Sequence, residues 1–363
     1  MKSFVRLSVL QLFTLLFISR MIINVTYSSY TSDTESLKFG AVAGLIALPL
    51  TLIMTIPVYI MLKTNDGRTV TDNAYDLFKK WGAIIAVVYG LYFLWILIST
   101  LSQFNVMVTN VLNPTASVFV LSIAVVVASM YGAYKGIEAL GRASTIIFMF
   151  IIVALIMLVC TLIPKVDTLN YVPITTEATS NIFNITTDML AKNSCIPAMA
   201  ILLPVVKGKA KGAIIWWSIA VYATTAIFIL LITGVLGDFL QTQVFPVYTL
   251  TAVASLGVTE RLDGLFLGVW TAGMFVRISL YIYLLSACVK RIFGEVISRW
   301  SILICGVLVL FTTMGITVAD ALFNFVLNSN LLLILTLITG VVIPLFIALF
   351  NKIKKSKIAH SES

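Results

Sequence analysis

Residues Thr259 to Tyr283 read TERLDGLFLGVWTAGMFVRISLYIY, a charged group followed by an apolar run of membrane-crossing length with Arg277 in its middle. The nearest charged side chains along the chain are Asp263, 14 residues earlier, and Lys290, 13 residues later. In a helix rising about 1.5 Å per residue both lie roughly 20 Å away, too far for the guanidinium to reach a membrane surface. An arginine at that depth costs about 2.5–3.5 kcal/mol on insertion scales, so such residues face the protein interior and often mark a substrate or ion pathway. The chain must supply a partner, a cavity or a ligand.

Working outward, the whole chain has the same character. Of its 363 residues 60% are apolar and only 11% charged, which excludes a soluble domain with an anchor and points to an all-α polytopic membrane protein. The net charge of +9 does not indicate nucleic acid, because the basic residues sit in short clusters between apolar spans and read as topology signals. Cys160, Cys195, Cys288 and Cys305 lie in or at the ends of apolar runs without a CxxC pair, so neither a disulfide framework nor a structural metal is expected. The first apolar run, Leu7 to Ile18, follows Lys2 and Arg6 as a signal peptide would, but no small-x-small site follows it and it is expected to remain as a first span.

Uncharged intervals define ten spans. They are Phe4–Tyr27, Gly40–Leu62, two within the 54 uncharged residues from Trp81 to Tyr134 that turn at Asn113-Pro114, Ile137–Ile163, Met189–Val206, Ala213–Leu236, Leu262–Val289, Trp300–Val318 and Asn330–Phe350. With the N-terminus in the cytoplasm, the inner segments carry 18 Lys and Arg and the outer ones only 4, namely Lys38, Lys165, Lys192 and Arg261. That asymmetry supports ten spans with both termini inside. The remaining two basic residues, Arg20 and Arg277, fall within the membrane. The tail from Lys352 is a basic cytoplasmic end.

Ten spans divide into two sets of five, with repeat one over about residues 4–163 and repeat two over about 189–351 of a single transmembrane domain. Spans 1 and 6 then match, and both are polar in the middle, ISRMIINVT in one and AKNSCIPAM in the other. Breaks at equivalent places point to an inverted-repeat, leucine-transporter-like fold whose ligand sits at broken helices 1 and 6. Pro197 strengthens the second break, while the first contains neither Gly nor Pro. The long Asp238–Arg261 segment has two readings, a lid over the outer mouth or an unstructured connector.

No carboxylate lies at the depth of Arg20 and Arg277; Asp263 and Asp320 come nearest. The arginines therefore cap backbone carbonyls, line a water-filled cavity, or bind an anionic group such as an amino-acid carboxylate. Trp270, Gly273, Met274, Arg277 and Tyr281 share one helical stripe, with Gly273 leaving room for a close neighbour. Tyr89 and Tyr92 share a face of span 3, Tyr92 being the deeper, with Gln103 farther out. The candidate ligand contacts are Ser19, Arg20, Tyr92, Asn193, Ser194, Cys195, Thr271 and Arg277. The only histidine, His360, lies near the C-terminus, so histidine-based catalysis within the membrane is excluded, and no cofactor or enzymatic activity is expected.

The segment from Phe245 to Tyr283 resembles the B-subunit family of nutrient germinant receptors of endospore-forming bacteria. In that family an acidic-Arg-Leu-Asp group precedes a span with a Trp and then a basic residue before Ile-Ser. Glu260, Arg261, Leu262, Asp263, Trp270, Arg277, Ile278 and Ser279 follow this order, with arginine where lysine is more usual. The start LSVLQLFTLLFIS, with Gln11, is similar too. The resemblance implies a fold of the amino acid, polyamine and organocation permease superfamily. It also implies a nutrient-sensing spore germination protein in the inner membrane of the spore, working with A and lipoprotein C subunits and surrounded by membrane lipids. Relatives tend to have glycine where this chain has Ile18-Ser19-Arg20-Met21, and a glutamate where it has Cys195-Ile196-Pro197. The lost acid and gained base have two readings, a site shifted toward an anionic group or simply a diverged receptor. A working permease and an ion or solute channel are the alternative readings.

Overall fold

The computed structural model describes residues 7–26, 37–64, 67–112, 117–172, 181–256, 260–294, 297, 300–317 and 320–361. Within them the helices are α1 (Val9–Thr26), α2 (Gly40–Thr64), α3 (Val70–Phe78), α4 (Gly82–Met107), α5 (Val118–Lys135), α6 (Ile137–Leu162), α7 (Ile182–Ala191), α8 (Cys195–Leu202), α9 (Ala210–Leu236), α10 (Pro246–Val253), α11 (Asp263–Phe293), α12 (Ser301–Thr317), α13 (Asp320–Val326), α14 (Ser329–Leu337) and α15 (Ile343–Ser361). Short 3-10 and π-helical turns and two ladders of two residues each join them. In one, β1 (Leu7–Ser8) pairs in parallel with β2 (Val206–Lys207); in the other, β3 (Ser255–Leu256) pairs antiparallel with β4 (Glu260–Arg261).

Eight of the described helical segments are long and apolar enough to cross a membrane. The two other expected spans take different forms. Span 9 is the 17-residue α12. Span 6 is divided into α7 and α8, of 10 and 8 residues, neither of which crosses alone. The turn expected at Asn113-Pro114 lies outside the described residues.

Local chemistry sets the helix starts. At the head of α1, Ser8 Oγ accepts from Gln11 N at 3.1 Å and Gln11 Oε1 accepts from Ser8 N at 2.9 Å, a reciprocal capping box that accounts for Gln11 in the opening motif. Thr69 caps α3 by accepting from Asp72 N, and Asn328 caps α14 by accepting from Leu331 N. Helix α11 ends at Gly294, whose φ of 78° suits a residue without a Cβ.

Helix α11 is the hub. It packs against α1, α4, α5, α6 and α12, and 72% of its apolar window is buried, whereas α6 with its short extension has only 11% buried and faces outward. The expected stripe is its inner face, since Trp270, Gly273, Met274, Arg277 and Tyr281 are all buried. Space at Gly273 is taken by α1: a Cβ there would lie 2.5 Å from Ile22 Cδ1.

Three expectations need correction. Helix α1 runs unbroken through Ser19 and Arg20. It lacks the Gly or Pro that would interrupt its ladder, and its polar side chains find partners on other helices. The sixth span begins at Ile182, seven residues before the expected Met189, which draws Asp188 and Lys192 into the buried interior at 8% and 9% exposure. Lys192 is thus a third interior basic residue and not an outer-loop one. Finally, of the two readings of the Asp238–Arg261 segment the unstructured connector fails, because the segment contains an ordered helix, α10, whose Pro246, Val247 and Leu250 are buried against α9, α11 and α1.

Two alanine substitutions on α11 separate packing from helix propensity. Gly268 has open space around its Cβ position and Gly273 does not. Both gain helix propensity of roughly 1 kcal/mol, but Gly273→Ala incurs overpacking of about 1–3 kcal/mol. Thermal unfolding in detergent is expected to show Gly268→Ala at or above wild type and Gly273→Ala below it.

Candidate functional site: a polar cleft at the broken helix

Helix α7 ends at Ala191 and α8 starts at Cys195, so the break is Lys192-Asn193-Ser194. Pro197 explains the position. Its ring would clash with the carbonyl four residues back, which is that of Asn193, and it sits in the first turn of α8, where a missing N–H costs nothing. Gly340, in the π-helical turn Ile338–Val342 between α14 and α15, packs against Pro197.

Two buried arginines bracket this break. Arg20 on α1, 1% exposed, donates from Nε to Asn193 Oδ1 and from Nη2 to Met189 O, each at 2.9 Å, and from Nη1 to Asn24 Oδ1. Asn193 in turn donates to Thr51 Oγ1 at 2.8 Å and to Tyr222 OH at 3.2 Å, tying the break to α2 and α9. Arg277, 3% exposed, donates from Nε to Thr100 Oγ1 at 3.0 Å, from Nη1 to Ser19 O and Oγ, and from Nη2 to Ser194 Oγ at 3.3 Å. Ser194 Oγ also accepts from Tyr281 OH at 2.7 Å, and the Tyr281 ring centroid lies 4.9 Å from the guanidinium carbon.

Among the described residues no carboxylate touches either arginine. Burying an ion costs several kcal/mol even after relaxation, and charge-assisted hydrogen bonds of about 1.5–3 kcal/mol each offset that cost here. The third cation, Lys192, pairs with Asp188 at 2.9 Å, and Asp188 also accepts from Ser329 Oγ on α14. Around the break the described interior thus holds three cations, Arg20, Lys192 and Arg277, and one carboxylate, Asp188.

A cleft with about 580 Å³ of space free of protein atoms, part of it open to the surroundings, lies beside the break, between α1, α4, α11 and the segment joining α13 to α14. Its polar lining comes from Ser99, Gln103, Lys192, Ser194, Arg277 and Ser329. Gln103 Oε1 is buried there without a hydrogen-bond partner among the described residues.

Of the expected contacts, Ser194 and Arg277 line the cleft and the others do not. Ser19 holds Arg277, and Arg20 and Asn193 stabilise the break. Cys195 Sγ donates to Leu16 O at 3.4 Å. Tyr92 bonds Thr336 Oγ1 at 3.0 Å and Tyr89 donates to Thr339 O, so both tie α4 to the last span. Thr271 is exposed on the opposite face of α11, where its hydroxyl donates to Leu267 O. Sequence reasoning missed Lys192, Asp188 and Ser329. The signal available was the spacing of Asp188 and Lys192, an i,i+4 pair on one helical turn.

The sequence model for spore germination proteins matches residues 6–321. The chain belongs to the spore germination protein family. No curated protein matches it. Among solved structures, a Na+-coupled sialic acid symporter in a substrate-bound outward-open state superimposes with a TM-score of 0.61 at 14% identity, over 91% of this chain and 79% of the symporter. Identity that low establishes a shared fold, that of the leucine-transporter-like sodium symporters. This member of the family is therefore an integral membrane protein of permease type, and its broken sixth span is that fold's characteristic interruption.

The arginine brackets make a quantitative expectation. Asn193→Ala removes the Oδ1 acceptor from a buried guanidinium and should cost about 1.5–3 kcal/mol when Arg20 is present. In an Arg20→Met background the same change should cost measurably less. A double-mutant cycle on thermal unfolding in detergent reads that coupling directly.

Proposed function

We propose that the chain is the nutrient-sensing, transporter-like subunit of a germinant receptor in the inner membrane of an endospore, with both termini cytoplasmic. It binds a small nutrient carrying an anionic group at the cleft between α1, α4, the α7–α8 break and α11, and partner A and lipoprotein C subunits read the resulting rearrangement. One observation carries this reading: three buried cations face one buried carboxylate, and two of those cations, Lys192 and Arg277, lie on the cleft wall. A carboxylate placed there meets a lysine, a guanidinium and the Ser194 hydroxyl in a site largely shielded from water. Gln103 Oε1 supplies an acceptor for a donor elsewhere on the same molecule, as an amino acid would present.

Arg277 also bears on ion coupling. Its Nη1 is bonded to the Ser19 carbonyl of α1, which places a fixed cation between α1 and α11 and supports binding that is independent of sodium. A permease reading is favoured by the symporter fold, and it differs from the receptor reading in requiring net uptake.

Lys192→Ala and Arg277→Ala spores are expected to lose the nutrient response while the protein remains in the membrane at wild-type level. Proteoliposomes containing wild-type protein should show no concentrative uptake of the germinant. Full nutrient sensitivity in both variants would remove the cleft from consideration, and stoichiometric uptake would turn the assignment to a permease.

A further inference from the structure

A second cavity lies away from the polar cleft, between α1, α6, α9, α10 and α11, with about 660 Å³ of space free of protein atoms, part of it open to the surroundings. Its chemistry is the opposite of the first. Met21 and Ile22 of α1, Leu155 of α6, Phe228 of α9, and Phe266 and Trp270 of α11 are typical of its walls. The polar groups that reach it include Thr251 Oγ1, which donates to Tyr248 O at 2.7 Å, and Trp270 Nε1, which donates to Thr26 Oγ1 at 2.8 Å. Both are already spent within the protein, and no charged residue lines the space.

What fills such a space depends on what it adjoins. On α6 and α11, Val153, Ile156 and Leu265 are 52%, 56% and 42% exposed and belong to the apolar surface that an integral membrane protein presents to lipid. The cavity is continuous with that surface, since Leu265 forms part of its wall. It extends along α11 from Leu262 to Trp270, which at about 1.5 Å per residue is roughly 12 Å, within the half-thickness of a bilayer core of about 30 Å. Water entering it would find few polar partners, and an empty cavity would forfeit dispersion contacts on every wall.

We propose that this cavity is a binding site for one acyl chain of a membrane phospholipid, which enters between α6 and α11 and lies against α1 with its inner end at the Trp270 indole. The chain packs behind Met21 and Ile22, the two residues that follow Arg20, and so supports α1 from the lipid side while Arg277 holds it from the protein side. The occupant is an acyl chain because the lining offers van der Waals surface and no anchoring charge, and because its source surrounds the protein.

The test uses the full-length protein in phosphatidylcholine vesicles whose acyl chains are brominated, since bromine quenches indole fluorescence only near contact. Trp270 is 1% exposed, so lipid at the outer surface does not reach it. Its contribution is the emission of wild type minus that of Trp270→Phe, compared between brominated and plain vesicles. The expected result is a loss of at least half of that contribution in brominated vesicles, and recovery of most of it when Ala154→Phe fills the cavity. Should Trp270→Phe fail to fold, the total quenching of Ala154→Phe against wild type gives the same reading, with less quenching expected in the variant. Equal Trp270 emission in both vesicles, or quenching unchanged by Ala154→Phe, would overturn the proposal. So would quenching of Trp270 by aqueous iodide in place of brominated chains, which would make the cavity a water-side pocket.

Discussion

The structure turns on the guanidinium of Arg277, which ties α11 to three other elements inside the membrane. It donates to the Ser19 carbonyl of α1, to Thr100 of α4 and to Ser194 in the interruption of the sixth span. A group of this shape offers five donors in a plane and cannot be deprotonated under physiological conditions. Its burial is tolerated because Nε, Nη1 and Nη2 each donate to a carbonyl or hydroxyl oxygen, and it persists as a permanent positive charge. Arg20 repeats the arrangement one residue along α1 from Ser19 and serves the other side of the break through Met189 O and Asn193. Between them the two arginines tether both sides of the break, Arg20 through the Met189 carbonyl and the Asn193 side chain and Arg277 through the Ser194 hydroxyl.

This division of labour explains why α1 needs no break. In the sixth span Pro197 forbids continuity and Asn193 offers its side chain to three neighbours, α1, α2 and α9. In α1 nothing forbids continuity, and Ser19 O accepts from Arg277 while its helix carries on. The polar cleft sits on the broken helix, and the apolar cavity sits behind the unbroken one. The chain thus presents one face of α1 to charge and the opposite face to hydrocarbon.

Much of this was legible in the sequence. Arg277 stood out because no other charge lies within 12 residues of it, and the stripe through Trp270, Gly273 and Tyr281 followed from helical spacing. The interruption near Pro197 was legible because proline has a definite steric consequence four residues upstream. What escaped was depth. Asp188 and Lys192 were placed outside because a charge normally marks the end of a span, and their mutual pairing, which makes burial tolerable, is a contact that hydropathy does not register. The partners of Tyr92 and Thr271 were hidden for a related reason: composition says that a side chain lies on a membrane helix, but not which neighbouring helix or lipid it faces.

The excess positive charge at the break, displayed by Lys192 and Arg277, is proposed to recognise an anionic group on a nutrient. The decisive measurement is isothermal titration of the purified protein in sodium-free buffer, comparing free amino acids with their carboxamides. At least one amino acid is expected to bind, and its carboxamide, equal in size but uncharged at that end, to bind at least tenfold more weakly. Equal affinity for an acid and its amide, or binding that appears only when sodium is added, would contradict it.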